Sequence, residues 1–188
     1  MGRLNRRLAA QLPGLAIILL PALAGAAEPA GHAARLLAVG VFAHDRGFAS
    51  DNHENGVDLS LEMLFAPLDL VGAPRPHLGA TLNFIGDTSV AYAGLSFQPV
   101  DRGRWFVDLL LGAAVHDGPL HKDPVGCDLY SDCGFGVRVV PRVGFEAGYR
   151  LGPDSAISLY YDHMSHKGLI GGENEGLEHL GVRYRWPY

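Results

Sequence analysis

Several features are scarce in this 188-residue chain, and each scarcity argues against a class of protein or site. There are two cysteines, and two thiols alone cannot complete a structural zinc site. Acidic residues outnumber basic ones by 20 to 15, so the formal net charge of −5 makes the chain a poor binder of nucleic acid. Beyond the N-terminal segment the sequence has neither a long apolar run nor a helical stripe of apolar residues. A nucleic-acid partner and a helical fold are therefore not expected.

The N-terminal segment is the exception. Three arginines precede an apolar run at residues 15–20, and small residues alternate up to Ala26. This order predicts a signal peptide over residues 1–27 that is cleaved after Ala26 or Ala27. Cleavage removes three arginines and no acid, so the remaining domain, residues 28–188, has a net charge of −8. An uncleaved membrane anchor is the alternative, since about 20 apolar residues are enough to span a bilayer.

The cysteines and histidines predict no metal site or other cofactor. Cys127 and Cys133 lie six positions apart in a hydrophilic stretch, which in an exported protein favours a small disulfide-closed loop. Two unpaired surface thiols are the alternative. The chain has nine histidines, but none forms a His-x3-His pair or a similar cluster.

The rest of the chain alternates between apolar and polar residues. The clearest stretch is residues 57–65, where the odd positions are apolar and Asp58, Ser60 and Glu62 are polar. Charged side chains on one face and hydrocarbon on the other are typical of a barrel wall. Eight segments follow the pattern and are predicted strands: 36–44, 57–65, 77–85, 90–97, 105–116, 135–150, 155–165 and 177–186.

We therefore predict an all-β fold, an eight-stranded antiparallel transmembrane β-barrel of the bacterial outer membrane. A soluble barrel or sandwich would alternate too, and alternation alone does not tell inside from outside. The export signal, the aromatic C-terminal end and opposite charges that can pair in a narrow lumen favour the membrane. With the N-terminus in the periplasm, the outward connections are those near residues 45–53, 86–88, 117–134 and 167–175.

Three polar residues interrupt the apolar rows near the C-terminus. With a period of two, His163 and Ser165 share the apolar face of one predicted strand, and Glu178 lies on the apolar face of the next. Neighbouring antiparallel strands bring such rows side by side. A serine hydroxyl becomes a good nucleophile when a base takes its proton, and an acid that orients the imidazole improves the base. These residues therefore predict a catalytic triad that cleaves an ester whose acyl chain lies in the membrane.

The same stretch resembles a known family. The segments His163-x-Ser165 and Asn174-x-Gly176-x-Glu178, followed by a final aromatic strand, are similar to the outer-membrane lipid A 3-O-deacylases of the PagL type, within the acyloxyacyl hydrolases. The resemblance implies an eight-stranded barrel that removes the ester-linked acyl chain at position 3 of lipid A without a metal. It implies Ser165 as nucleophile, His163 as base and Glu178 as orienting acid, with lipopolysaccharide in the outer leaflet as partner.

The match covers about residues 160–188 and includes departures. The family commonly has Asn after the nucleophile, where this chain has His166, and often has Pro where this chain has Glu175. Because a histidine can donate a hydrogen bond, His166 is a candidate for the oxyanion site, although in a regular strand it would alternate to the opposite face. Asn174 is expected to shape the loop or position substrate.

Two other functions stay open on the sequence alone. One is a non-catalytic structural or adhesive outer-membrane barrel, in which Ser165 would have no chemical role. The other is a phospholipase-type esterase with the same triad, because the sequence has no motif that recognises a head group. The sequence also leaves open whether the barrel forms a homodimer.

Overall fold

Eight β-strands make up the regular structure of the chain. A computed structural model describes residues 35–49, 54–121, 134–167, 169 and 174–188. The strands are β1 Leu36–His44, β2 Val57–Leu64, β3 Arg75–Asn83, β4 Val90–Arg102, β5 Trp105–His116, β6 Val139–Gly152, β7 Ser155–Met164 and β8 Leu177–Pro187. Within these ranges no helix is long and apolar enough to cross a membrane. The predicted signal peptide, residues 1–27, and the predicted Cys127–Cys133 disulfide lie outside the described residues.

The strands form a closed antiparallel barrel. Each strand pairs with its neighbour in sequence, and β1 also pairs with β8, where Leu36 lies opposite Pro187 and His44 opposite His179. Closure leaves no unpaired sheet edge, which a membrane-spanning sheet requires. The eight-stranded antiparallel fold predicted from alternation is confirmed.

The burial pattern resolves which face of the sheet is inside. Residues of the outward rows are apolar and exposed, including Val41, Leu59 and Leu159. The inward rows are buried and largely polar or charged, including Asp58, Glu62, Asp108, Arg142, Glu146, Asp162, Arg183 and Arg185. A soluble barrel would have the opposite arrangement, so hydrocarbon outside and paired charges inside are those of a membrane barrel.

Ion pairs and aromatic rings fill the lumen together. Arg183 bridges Glu62 and Glu146, with both N···O distances 3.1 Å. The guanidinium of Arg142 stacks on the ring of Tyr92 at 3.6 Å. Pairing of this kind offsets the cost of removing charges from water.

Two glycines make room for these interior rings. A Cβ on Gly148 would overlap the ring of Phe106, and one on Gly79 would lie 2.7 Å from the ring of Tyr92. Glycine is therefore required here by the close approach of a ring to the opposing backbone.

Several strand boundaries differ from the alternation prediction, most of them by one or two residues. β3 begins at Arg75 rather than at residue 77 and includes Pro76. β4 continues past Pro99 to Arg102, because a bulge between Phe97 and Val100 absorbs the irregularity. β6 begins at Val139 rather than at residue 135.

Candidate active site

The outer face of β7 carries two of the predicted site residues. Along β7, Ala156, Ser158, Tyr160 and Asp162 are buried, while the residues between them point away from the lumen. His163 belongs to this outward row, and Ser165 continues it one residue past the strand end. The two side chains therefore project on the same side of the wall.

The imidazole of His163 lies between the hydroxyl and the carboxylate. Its Nε2 is 2.9 Å from Ser165 Oγ, and its Nδ1 is 3.4 Å from Glu178 Oε1. Glu178 is directly opposite His163 in the β7–β8 register. The structure thus brings the three predicted residues together on the exterior of the barrel, in the order hydroxyl, imidazole, carboxylate.

Glu178 is fully buried although it belongs to an outward row. The backbone N–H of Ala49 donates to both carboxylate oxygens at 3.1 Å, and the hydroxyl of Tyr161 donates to Oε1. Gly47 packs so closely on this carboxylate that an added Cβ would lie 2.7 Å from Oε1 and still closer to Cδ. These contacts hold the carboxylate in place and shield it from water.

The segment after β1 therefore forms one wall of the site. Phe48 is largely exposed, and its ring lies 5.7 Å from that of Tyr161. The sequence gives no local signal of a role for this segment, because Ala49 and Glu178 are 129 residues apart. The sequence does indicate that Tyr161 lies near the site, because it is two positions before His163 on the same face of the strand.

The other two predicted site residues lie apart from this cluster. The side chain of His166 is buried, and its Nε2 donates to the Phe135 carbonyl at 3.1 Å. It thus lies on the opposite side of the wall from Ser165. The Ser165 N–H donates to the Pro141 carbonyl at 3.2 Å. Asn174 is exposed at the start of the segment leading into β8.

A family model described as lipid A 3-O-deacylase (PagL) matches residues 46–187. The chain belongs to the PagL family of lipid A 3-O-deacylases. It is therefore an ester hydrolase of the bacterial outer membrane, and the resemblance noted in the C-terminal segment is confirmed over most of the chain. The match begins at Arg46, so it includes both the loop over Glu178 and the two strands of the site.

A solved structure shares the barrel fold. The crystal structure of the outer membrane enzyme PagL is 15% identical, covers 81% of this chain and 99% of its own, and has a TM-score of 0.57. The Yersinia pestis outer membrane protein Ail is 14% identical over 80% of this chain and 99% of its own, with a TM-score of 0.42. No curated protein sequence gives a significant match.

Proposed function

We propose that this protein hydrolyses the 3-O-linked acyl ester of lipid A, with Ser165 as nucleophile, His163 as general base and Glu178 as the acid that orients it. The observation that carries the proposal is the position of one imidazole, 2.9 Å from a hydroxyl and 3.4 Å from a buried carboxylate. Apo sites often have looser hydrogen bonds than their substrate complexes, so the longer distance is compatible with catalysis.

The first half of the reaction is acyl transfer to the enzyme. A carboxylate beside Nδ1 favours the tautomer that carries its proton there, which leaves Nε2 unprotonated to accept the Ser165 proton. Oγ then attacks the ester carbonyl carbon. The tetrahedral intermediate collapses, the sugar oxygen leaves, and it takes the proton from His163 Nε2. The products of this half are the 3-hydroxyl of lipid A and an acyl-Ser165 ester.

The second half regenerates the enzyme. His163 takes a proton from water, the hydroxide attacks the acyl carbonyl, and collapse of the second intermediate returns the proton to Ser165 Oγ. The fatty acid is released, and no redox step is involved. Glu178 remains ionised throughout and stabilises the imidazolium that forms twice in the cycle.

The position of the site fits a substrate held in a membrane. From His163 toward the start of β7, away from the site, the outward row includes Leu159 and Ile157, which are both exposed and apolar. An acyl chain that follows this row stays in hydrocarbon, while its ester end reaches Ser165 near the loops. This arrangement supports a lipid ester rather than a soluble one.

The test compares Ser165→Ala with a matched serine on the same strand. Ser155 belongs to the same outward row at the opposite end of β7, so Ser155→Ala makes the same chemical change away from the site. Each variant is expressed in an outer membrane whose lipid A retains its 3-O-acyl chain, and lipid A is analysed by mass spectrometry. Folding is checked by the heat-dependent mobility of the barrel in a denaturing gel.

We expect wild type and Ser155→Ala to remove one hydroxyacyl mass from lipid A, and folded Ser165→Ala to leave the mass unchanged. Identical lipid A from all three folded proteins would support the non-catalytic barrel instead. Release of fatty acid from glycerophospholipid vesicles, with lipid A intact, would support the phospholipase alternative.

A further inference from the structure

The inner face of the wall behind the proposed triad carries a second cluster of polar groups. Asp162 precedes His163, His179 follows Glu178, and the two inner residues are paired across β7 and β8. Because side chains alternate along a strand, these residues point into the lumen directly behind His163 and Glu178. Hydrolysis as proposed above does not use them.

In the lumen, His179 lies beside one residue of β1 and one residue of β2, where β1 pairs with β8 to close the barrel. His44 at the end of β1 and Asp58 at the start of β2 are both fully buried, as is His179. Asp58 Oδ2 is 2.7 Å from His44 Nδ1 and 3.2 Å from His179 Nε2, and all three atoms lie within 4.8 Å of one another. Two imidazole nitrogens therefore face one carboxylate oxygen in the lumen.

The opposite nitrogen of each imidazole faces a second carboxylate. His44 Nε2 is 2.7 Å from Glu54 Oε2, and His179 Nδ1 is 2.9 Å from Asp162 Oδ1. A metal-bound histidine usually donates its other N–H to a carboxylate, which fixes the tautomer and makes the free nitrogen a better ligand. Both histidines of the cluster have this support.

Hydrogen bonds from other residues fix the positions of the Asp58 and Glu54 carboxylates. Asn83 Nδ2 donates to Asp58 Oδ1 at 3.0 Å, which leaves Oδ2 as the oxygen aimed at the histidines. Thr88 donates to Glu54 from its backbone N–H at 2.9 Å and from its hydroxyl at 2.7 Å. The orientation of the convergent atoms is thus set by partners outside the cluster.

We propose that His44 Nδ1, Asp58 Oδ2 and His179 Nε2 form a binding site for a divalent transition-metal ion of the Zn²⁺ class. Two imidazoles with one carboxylate are a ligand set for such ions rather than for Mg²⁺ or Ca²⁺, which prefer oxygen alone. The role is structural, because the ion lies in the lumen and the ester is expected outside it. The proposal goes beyond lipid A hydrolysis and differs from the sequence-based expectation of no metal.

Two of the three atom pairs are spaced close to what an ion needs, and the third pair, the two imidazole nitrogens within 4.8 Å of each other, must close by up to about 1.5 Å. Ligands about 2.0–2.1 Å from a tetrahedral zinc ion stand roughly 3.3 Å apart. The 3.2 Å between Asp58 Oδ2 and His179 Nε2 already fits, and within the described residues this nitrogen makes no well-aligned hydrogen bond. The 2.7 Å contact to His44 must widen by about half an ångström. A ladder of histidine–carboxylate ion pairs is the arrangement that competes with the metal.

An ion bound here would join three strands where the barrel closes. Its ligands come from β1, β2 and β8, and β1 to β8 is the pairing between the two ends of the sheet. Glu54, which supports His44, belongs to the loop between β1 and β2 whose residue Ala49 contacts Glu178. The ion is therefore expected to stabilise the barrel at the end that carries the site.

The test measures metal binding by the full folded barrel in detergent, after removal of metal with a chelator. Zn²⁺ and Co²⁺ are titrated, bound metal is measured by elemental analysis after gel filtration, and Co²⁺ ligation is followed by visible absorption. Asp58→Asn and His179→Gln remove a ligand while keeping the side chain's size. His77→Gln is the matched control, since His77 is a buried lumen histidine outside the cluster.

We expect wild type and His77→Gln each to bind one equivalent of Zn²⁺ and to keep it in a large excess of Mg²⁺. The affinity of Asp58→Asn and His179→Gln for Zn²⁺ should be at least tenfold weaker. Zn²⁺ should raise the urea midpoint of wild type but not of folded Asp58→Asn. Equal metal content in wild type and in folded ligand variants, including a content near zero, would overturn the proposal in favour of ion pairs alone. This result is independent of the Ser165 experiment, because neither readout requires hydrolysis.

Discussion

At the residue scale, Tyr161 is a positioning residue whose effect can be separated from the three proposed catalytic groups. Its hydroxyl donates to Glu178 Oε1, and Tyr161→Phe removes this hydrogen bond while the one from the Ala49 N–H remains. A hydrogen bond to a charged group contributes about 1.5–3 kcal/mol. We expect kcat for lipid A deacylation to fall by about 10-fold to 100-fold with little change in KM, because the hydroxyl orients the base and does not touch substrate.

The control for this variant is Tyr184→Phe, which removes a hydroxyl from an exposed position in the outward row of β8. It should keep wild-type kcat and KM in initial-rate assays with purified lipopolysaccharide. If Tyr161→Phe behaves like Tyr184→Phe, the hydroxyl does not position Glu178 during the reaction. A rise in KM alone would assign it to substrate binding instead.

The sequence carried enough information to bring His163, Ser165 and Glu178 together but not to find what surrounds them. A period of two places the first pair on one face, and two neighbouring strands bring the third within reach. The hydrogen bonds that the Ala49 N–H donates to Glu178 depend on the pairing of β1 with β8. Local periodicity in the sequence does not encode that pairing. The same holds for the cluster of His44, Asp58 and His179, whose members come from three strands.

At the scale of elements, the loop between β1 and β2 is part of the site. Gly47 contacts the Glu178 carboxylate so closely that a methyl group would displace either the loop or the carboxylate. We expect Gly47→Ala to reduce the deacylation rate by at least about tenfold, since a shift of about 1 Å at a positioned group costs that much or more. Stability should change little, because the residue lies outside the strands.

Gly152→Ala is the matched change, because an added Cβ at Gly152 meets nothing within 4 Å. Lipid A mass spectra at timed intervals give the rates, and urea midpoints give the stabilities of both variants. Wild-type rates in Gly47→Ala would show that the loop tolerates displacement and does not hold Glu178. A large loss of stability would instead identify Gly47 as a folding determinant.

Strand positions were more predictable than strand ends. Alternation located every strand because the two faces meet hydrocarbon and paired charges, so each row is chemically uniform. It placed the start of β6 at residue 135, whereas Phe135 packs on His116 with ring centroids 4.2 Å apart, before the strand begins. An apolar residue in a loop and one in a strand look alike when both are buried.

At the scale of the whole molecule, the barrel has apolar side chains outside and charged side chains inside. The interior charges must therefore balance. Arg183 pairs with both Glu62 and Glu146 in the lumen, and all three are at most 1% exposed. Substitution of Arg183 removes a buried cation from both carboxylates, and loss of one partner of a buried ion pair typically costs about 3–5 kcal/mol. We therefore expect Arg183→Met to lower the free energy of unfolding by about that amount, although Met fills a similar volume.

Arg150→Met is the comparison, because the Arg150–Asp101 pair is 30% and 26% exposed and exposed pairs contribute about 0–1 kcal/mol. Equilibrium urea unfolding in detergent micelles, followed by the fluorescence of Trp105 and Trp186, measures both losses. Adding Glu62→Gln to Arg183→Met should recover part of the loss, since it removes one of the two carboxylates that paired with Arg183. Equal, small losses in Arg183→Met and Arg150→Met would mean that water enters the lumen and screens the buried charges, and the ion pairs would then not hold the barrel together.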